Sequence, residues 1–147
     1  MNVKEALNEV LVKLFREIIT IEEQSIKTGQ FKDLTANDMH VMEEIGRQGA
    51  KNMTTVAKGL SVTTGTLTIA INGLVKKGYV DRTRSDEDRR VVLVSLSEKG
   101  KLAYDQHDAF HQEMVKSITG GMTKEEQEIL QRALVNLNDF FMEIKEK

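Results

Sequence analysis

The stretch TTVAKGLSVTTGTLTIAINGLVKKG, residues 54 to 78, constrains this chain more than any other. TTVAKGL has room for two helical turns, SVT forms a tight turn with Thr63 as a candidate N-cap, and TGTLTIAINGLVKKG supplies a second helix ending at Gly78. Two short helices joined by such a turn make a helix-turn-helix. In the second helix Leu67, Ile71, Leu74 and Val75 fall on one stripe and must face the core. Thr64, Gly65, Thr66, Thr68, Ile69, Asn72, Gly73 and Lys76 are left outward.

Directly after it, YVDRTR and RRVVLVSL are β-rich and flank the turn-forming SDED, which predicts a hairpin. Before and behind this centre the texture is helical. Val3, Leu7, Val10, Leu11, Leu14, Phe15, Ile18 and Ile19 repeat with a 3.6-residue period, predicting a long amphipathic helix that ends near Gly29. A second helix opens at LTANDMHVMEEIG, with Thr35 as N-cap, Asp38 at the capping-box position and Leu34 placed to staple onto Met39. After the hairpin, Ser97 caps a segment broken at Gly120 and Gly121, and Thr123 with Glu126 makes a capping box for the last helix. The fold class expected is mainly α: a winged helix-turn-helix lobe with a small β-hairpin wing, plus a lobe of N- and C-terminal helices.

Charge follows this division. The chain carries a formal −2, but residues 51 to 101 hold ten basic against five acidic side chains, while the rest hold 11 basic and 18 acidic. A basic centre between acidic ends points to a polyanion partner, although a solvated basic face would look the same. With no cysteine, thiol nucleophiles, disulfides and zinc-thiolate sites are unavailable. The N-terminal segment is interrupted by Lys4, Glu5, Glu9, Lys13, Arg16 and Glu17, so neither a signal peptide nor a membrane span is expected, and a cytoplasmic protein is the simplest expectation. No G-x-S-x-G, P-loop, dinucleotide fingerprint or paired-carboxylate cleft is present, which argues against an enzyme.

The outer face of the second short helix is short-chained, free of acid, and offers hydroxyls and one amide, the chemistry needed near base edges and phosphates in a major groove. An outward Ile69 is odd on a solvated helix and makes sense against a thymine methyl. Ser/Thr-rich helix surfaces also exist without function. The hairpin tips the balance, because a two-stranded wing can place an arginine in the adjacent minor groove. Its tip, RSDEDRR, holds three acids and three arginines. Asp88 and Arg90, two apart, suit a bidentate pair that orients the guanidinium; the bland alternative is a solvated loop with ion pairs worth about 0.2–1 kcal/mol each. A DNA-free interaction protein built from the long helices would leave this arginine-bearing wing unexplained.

With those parts in place, the chain resembles the MarR family of winged helix-turn-helix repressors over nearly its whole length. Asp88-x-Arg90 followed by Leu96-Ser97 matches the family's wing signature, D-x-R-x(5)-L-[T/S], and LVKKGYVDR from Leu74 to Arg82 matches its recognition-helix exit. The resemblance implies a single MarR-type domain over 1–147, acting as a homodimer. Residues 1–33 and 97–147 would form the helical dimerisation region and 34–96 the DNA-binding lobe, each subunit reading one half-site of a palindrome. The expected DNA-binding residues are Thr63, Thr64, Thr66, Thr68, Ile69, Asn72 and Lys76 on the helix and turn, with Arg82, Arg84, Asp88, Arg89 and Arg90 on the wing.

Within the family the sequence is most similar to the subfamily that represses fatty-acid synthesis in Gram-positive bacteria. The stretches carrying this are IEE at 21 to 23, FKDLTANDMH at 31 to 40, VTTGTLT at 62 to 68, KKGYVDRTRSDEDRRVV at 76 to 92 and FHQEMV at 110 to 115. That implies long-chain acyl-acyl carrier protein as corepressor and an A·T-rich palindromic operator, with no cofactor and no membrane partner. An acyl site would need flexible apolar side chains, and Phe15, Ile19, Ile26, Phe31, Met39, Met42, Phe110 and Met114 are candidates, each equally well a core residue. The alternative is a zinc-responsive regulator. His107 and His111 are spaced i, i+4 on one helix, with His40 and Glu22 or Glu23 as completing ligands, the histidines being otherwise structural or pocket-lining.

Overall fold

Thr35 starts a helix where its hydroxyl accepts from the Asp38 amide at 3.0 Å while Asp38 accepts from the Thr35 amide at 3.1 Å. The same reciprocal pair forms between Thr123 and Glu126 and between Asn2 and Glu5. These caps fix the helix starts in the computed structural model, which describes residues 1–147. The order is α1 (Val3–Asn8), a π-helical stretch (Glu9–Leu14), α2 (Phe15–Lys27), α3 (Ala36–Ile45), β1 (Lys51–Asn52), α4 (Met53–Leu60), α5 (Thr64–Lys77), β2 (Val80–Arg84), β3 (Val92–Leu96), α6 (Glu98–Thr119) and α7 (Lys124–Glu146). The chain falls into two compact units, Met1–Asp108 and Ala109–Lys147.

In the first unit the core is built from α3, α4, α5 and the sheet. Met39, Met42, Ile45, Val56, Leu67, Ile71, Leu74, Tyr79, Val80 and Val94 are almost wholly buried. Leu34, the expected staple residue, and Met39 both lie in this core. α4 ends on Ser61 in the left-handed region, and α5 ends on Gly78 at φ +88°, where a Cβ would be strained.

The wing is a three-stranded antiparallel sheet in the order β1-β3-β2, with Lys51 opposite Val94, Val80 opposite Leu96 and Arg84 opposite Val92. The third strand was not foreseen, because two residues carry no period. It exists by pairing with β3 some forty residues on. The second hairpin arm also begins later than expected, at Val92: the Val91 amide bonds the Asp88 carbonyl at 2.9 Å, so Arg89 and Arg90 belong to the turn.

Behind the sheet, Ser97 fastens the start of α6. Its hydroxyl donates to the Gly78 carbonyl at 2.6 Å and accepts from the Gly100 amide at 3.0 Å. Gly100 lies so close to Tyr79 that a Cβ there would come within 2.1 Å of the Tyr79 carbonyl oxygen. The Tyr79 ring meets Phe31 edge-on at 6.0 Å and lies under the Lys99 ammonium at 4.3 Å. The recognition-helix exit is thus pinned to the start of α6.

The first long helix departs from the expectation of one uniform amphipathic helix, because residues 9 to 14 widen to the π form before α2 continues. No residue of α1, this stretch or α2 is buried, and Val3, Leu7, Val10, Phe15 and Ile19 are exposed. In the second unit α7 likewise buries no residue, with Ile129, Leu134, Phe140, Phe141 and Ile144 exposed.

The helix starts differ in charge. α1, α3, α6 and α7 carry an acid in the first turn, whereas α4 and α5 carry none.

Candidate nucleic-acid interface

α5 turns Leu67, Ile71 and Leu74 fully inward, with Val75 half-buried, and this one-sided burial decides what its other face shows. Thr63, Thr64, Thr66, Thr68, Asn72 and Lys76 are exposed, and Ile69 is 76% exposed. Some hydroxyls on that face are committed to the helix itself. Thr63 Oγ1 accepts from the Thr66 amide and donates to the Thr66 hydroxyl, both at 3.0 Å, and Thr68 Oγ1 donates to the Thr64 carbonyl at 2.8 Å. Thr68 therefore presents its methyl and its oxygen lone pairs, not its proton.

The wing tip is held by a compact set of bonds. Ser85 Oγ accepts from the Glu87 and Asp88 amides, the Ser85 amide reaches the Val91 carbonyl at 2.9 Å, and Arg84 donates from Nη1 to the Arg89 carbonyl at 2.9 Å. Asp88 takes three donors from one residue: the Arg90 amide and Nε reach Oδ1, both at 3.1 Å, and Nη2 reaches Oδ2 at 3.2 Å. The side-chain bonds from Arg90, then its amide, hold the Asp88 carboxyl below its usual pKa. The Arg90 side chain is 91% exposed while the carboxylate fixes its plane.

One link between helix and wing was not read from the sequence. Arg82, on β2, donates from Nη1 to Asn72 Oδ1 on α5. Its signal was strand parity: Val80, buried under α5, and Arg82, two residues on, project from the same face of the strand.

The remaining candidates divide between the two units. Met39 and Met42 lie in the core, Ile26 and Phe31 pack against it, Phe15 and Ile19 are exposed, and Phe110 and Met114 belong to the second unit. His40 Nε2 pairs with Glu22 at 3.2 Å, and Glu23 accepts from the Ala36 amide at 2.7 Å. His107 Nε2 meets Glu43 at 2.6 Å, a carboxylate absent from the expected ligand set. His111 sits beside the Phe110 ring at 5.9 Å.

A helix pair buried on one face, bare of acid on the other and backed by an arginine-tipped sheet defines a winged helix-turn-helix protein. The sequence matches the MarR family over residues 34–92. It is 31% identical over 122 residues to the multiple antibiotic resistance protein MarR of Salmonella typhimurium, covering 72% of this chain and 85% of that one. The chain belongs to the MarR family. Members of that family are DNA-binding transcription regulators, not enzymes. The solved structure of Streptococcus pneumoniae FabT in complex with DNA is 38% identical, superposes with a TM-score of 0.87, and covers 96% of this chain and 99% of that one. The uncharacterized regulator YpoP of Bacillus subtilis is 30% identical over 95 residues, 65% of this chain. This chain spans less than two thirds of the first curated relatives it matches, 64% of YpoP and 62% of YwhA.

Proposed function

We propose that this chain is a cytoplasmic, homodimeric repressor that binds double-stranded DNA sequence-specifically at an A·T-rich palindrome ahead of fatty-acid synthesis genes. Long-chain acyl-acyl carrier protein serves as its corepressor. The likeness to a FabT structure solved with DNA, at 38% identity over nearly the full chain, is the observation that carries this conclusion. The acid-free outer face of α5 and the clamped arginine at the wing tip supply the matching chemistry: short polar groups for the major groove, and a guanidinium held ready for the minor groove or backbone. The expected DNA contacts therefore run from Thr63 to Lys76 and from Arg82 to Arg90.

Dimerisation has its own support. Apolar side chains stay uncovered on the first helical run and, separately, on α7, where one chain alone gains nothing from their periodicity. A second copy would bury them, and a two-fold dimer would match the symmetry of a palindrome. No helix is long and apolar enough to cross a membrane.

The test is a mobility-shift titration of the operator complex, run separately with long-chain acyl-acyl carrier protein and with zinc plus chelator. Tightening by the acylated carrier alone is the expected result. Loss of binding with chelator, restored by zinc, would overturn the lipid assignment in favour of a metal-responsive regulator.

A further inference from the structure

The bond between Arg82 and Asn72 settles a question that an asparagine on a recognition helix normally leaves open. Asparagine carries an acceptor and a two-proton donor on one planar group, and an adenine edge engages both at once. Here one of the oxygen's two lone pairs is engaged, and the oxygen is turned to Arg82. A guanidinium has five donors and no acceptor, so whatever faces Arg82 must accept, and the Asn72 atom facing it is the carbonyl oxygen however the amide is drawn. The amide nitrogen is then the end that does not face Arg82. Asn72 is exposed, one helical turn beyond Thr68 and Ile69 on the same outward ridge.

We propose that Arg82 is a specificity-determining residue: by holding the Asn72 oxygen toward itself it leaves the amide nitrogen, a donor, as the end that Asn72 offers to the major groove. The inference rests on the DNA-reading function proposed above and adds the kind of base edge read. Two donors are matched by guanine O6 and N7 or by thymine O4. They meet a donor at adenine N6 and at cytosine N4. Arg82 is suited to this because its backbone is fixed twice over, by pairing with Val94 in the sheet and by the burial of Val80 two residues before it.

The experiment uses the full-length protein and duplexes selected by the wild type from a random library. Each half-site position is then changed to all four bases, and affinity is measured for each. Asn72→Ala identifies the position this residue reads, as the one whose preference collapses. There the wild type is expected to favour guanine or thymine over adenine by about fivefold or more. Arg82→Met, which removes the donors and keeps the stem, is expected to bring that ratio below about twofold. Asn72→Asp keeps an acceptor for Arg82 but turns an acceptor to the groove, so its preference should move to cytosine or adenine. This third variant tests the orientation even if Arg82→Met fails to fold. A wild-type preference for adenine at that position, an unchanged ratio in Arg82→Met, or no position responding to Asn72→Ala overturns the inference and leaves the DNA-reading function standing. A wild type with no base preference at any position removes that function, and this inference with it.

Discussion

Arg90 and Asp88 share two side-chain hydrogen bonds, Nε to Oδ1 at 3.1 Å and Nη2 to Oδ2 at 3.2 Å, on a wing tip otherwise open to water. Removing the guanidinium by Arg90→Ala should weaken operator binding by about 1–3 kcal/mol. Asp88→Ala should act differently: it adds a net positive charge while freeing the guanidinium, so binding to random DNA holds or rises while operator binding falls. Mobility-shift titrations on both duplexes read the ratio. An unchanged operator-to-random ratio in Asp88→Ala would show that the clamp does not orient Arg90 for recognition.

The same pair predicts a response to acid. Because Arg90 holds the Asp88 carboxyl below its ordinary value, the clamp is fully present above the unfolded carboxylate pKa of about 4 and is lost as pH falls through the lower folded value. The Arg90 Nε–H resonance should keep its position from neutral pH to about 4 and shift only below it. A shift centred near pH 6 would point to a different partner.

Tyr79 donates its hydroxyl to Asp33 at 2.5 Å, and Lys77 bonds the Asp33 carbonyl at 2.6 Å and Asp38 at 3.0 Å. Burial, and then the Asp33 carboxylate, push the phenol pKa well up. The neutral phenol is thus favoured in the folded chain. Its contribution is complete below the unfolded value of about 10 and declines above it, so alkaline pH should destabilise the wild type. Tyr79→Phe should cost about 1.5–3 kcal/mol near neutrality, the worth of a hydrogen bond to a charged group. Denaturant melts at pH 8 and pH 11 check both parts: the gap between wild type and variant should narrow at the higher pH.

Two glycines should respond in opposite ways. Gly100→Ala pushes a methyl into the Tyr79 carbonyl and should cost about 1–3 kcal/mol or more, as overpacking does. Gly73, mid-helix on the outer face of α5, has open space where a Cβ would go, so Gly73→Ala should stabilise the free chain by about 0.8–1 kcal/mol. If that face enters a major groove, the same variant should bind operator more weakly despite melting higher. A gain in both would place Gly73 outside the contact.

The parts foreseen from sequence are those whose cause is local. Thr35 with Asp38 and Thr123 with Glu126 start helices through contacts three residues apart, and Leu67, Ile71 and Leu74 announce a buried stripe by spacing alone. What was missed depends on distant parts of the chain meeting. Lys51 and Asn52 become a strand only because β3 offers them an edge, and Glu43 reaches His107 only once α3 and α6 are placed. The apolar candidates for an effector pocket failed to declare themselves for a related reason. Met39 and Phe15 look alike in a periodic pattern, yet one is core and the other 67% exposed, since exposure depends on what packs opposite. Asn72 was legible as an outward amide, but its partner Arg82 required the fold.

The missing acids at the first turns of α4 and α5 have a consequence for how the lobe evolves under selection. A carboxylate beside a helix N-terminus typically adds about 0.3–1 kcal/mol, and the other capped helices take it. Here two adjoining helices forgo it, leaving partial positive charge of about half a proton at each start. A sequence optimised only for melting temperature would put Asp or Glu at Thr64 or Gly65 and gain stability from it. The natural chain is therefore a less durable folded object than its own backbone permits, and the shortfall falls on the two helices of the helix-turn-helix, where an approaching polyanion would supply the negative charge instead.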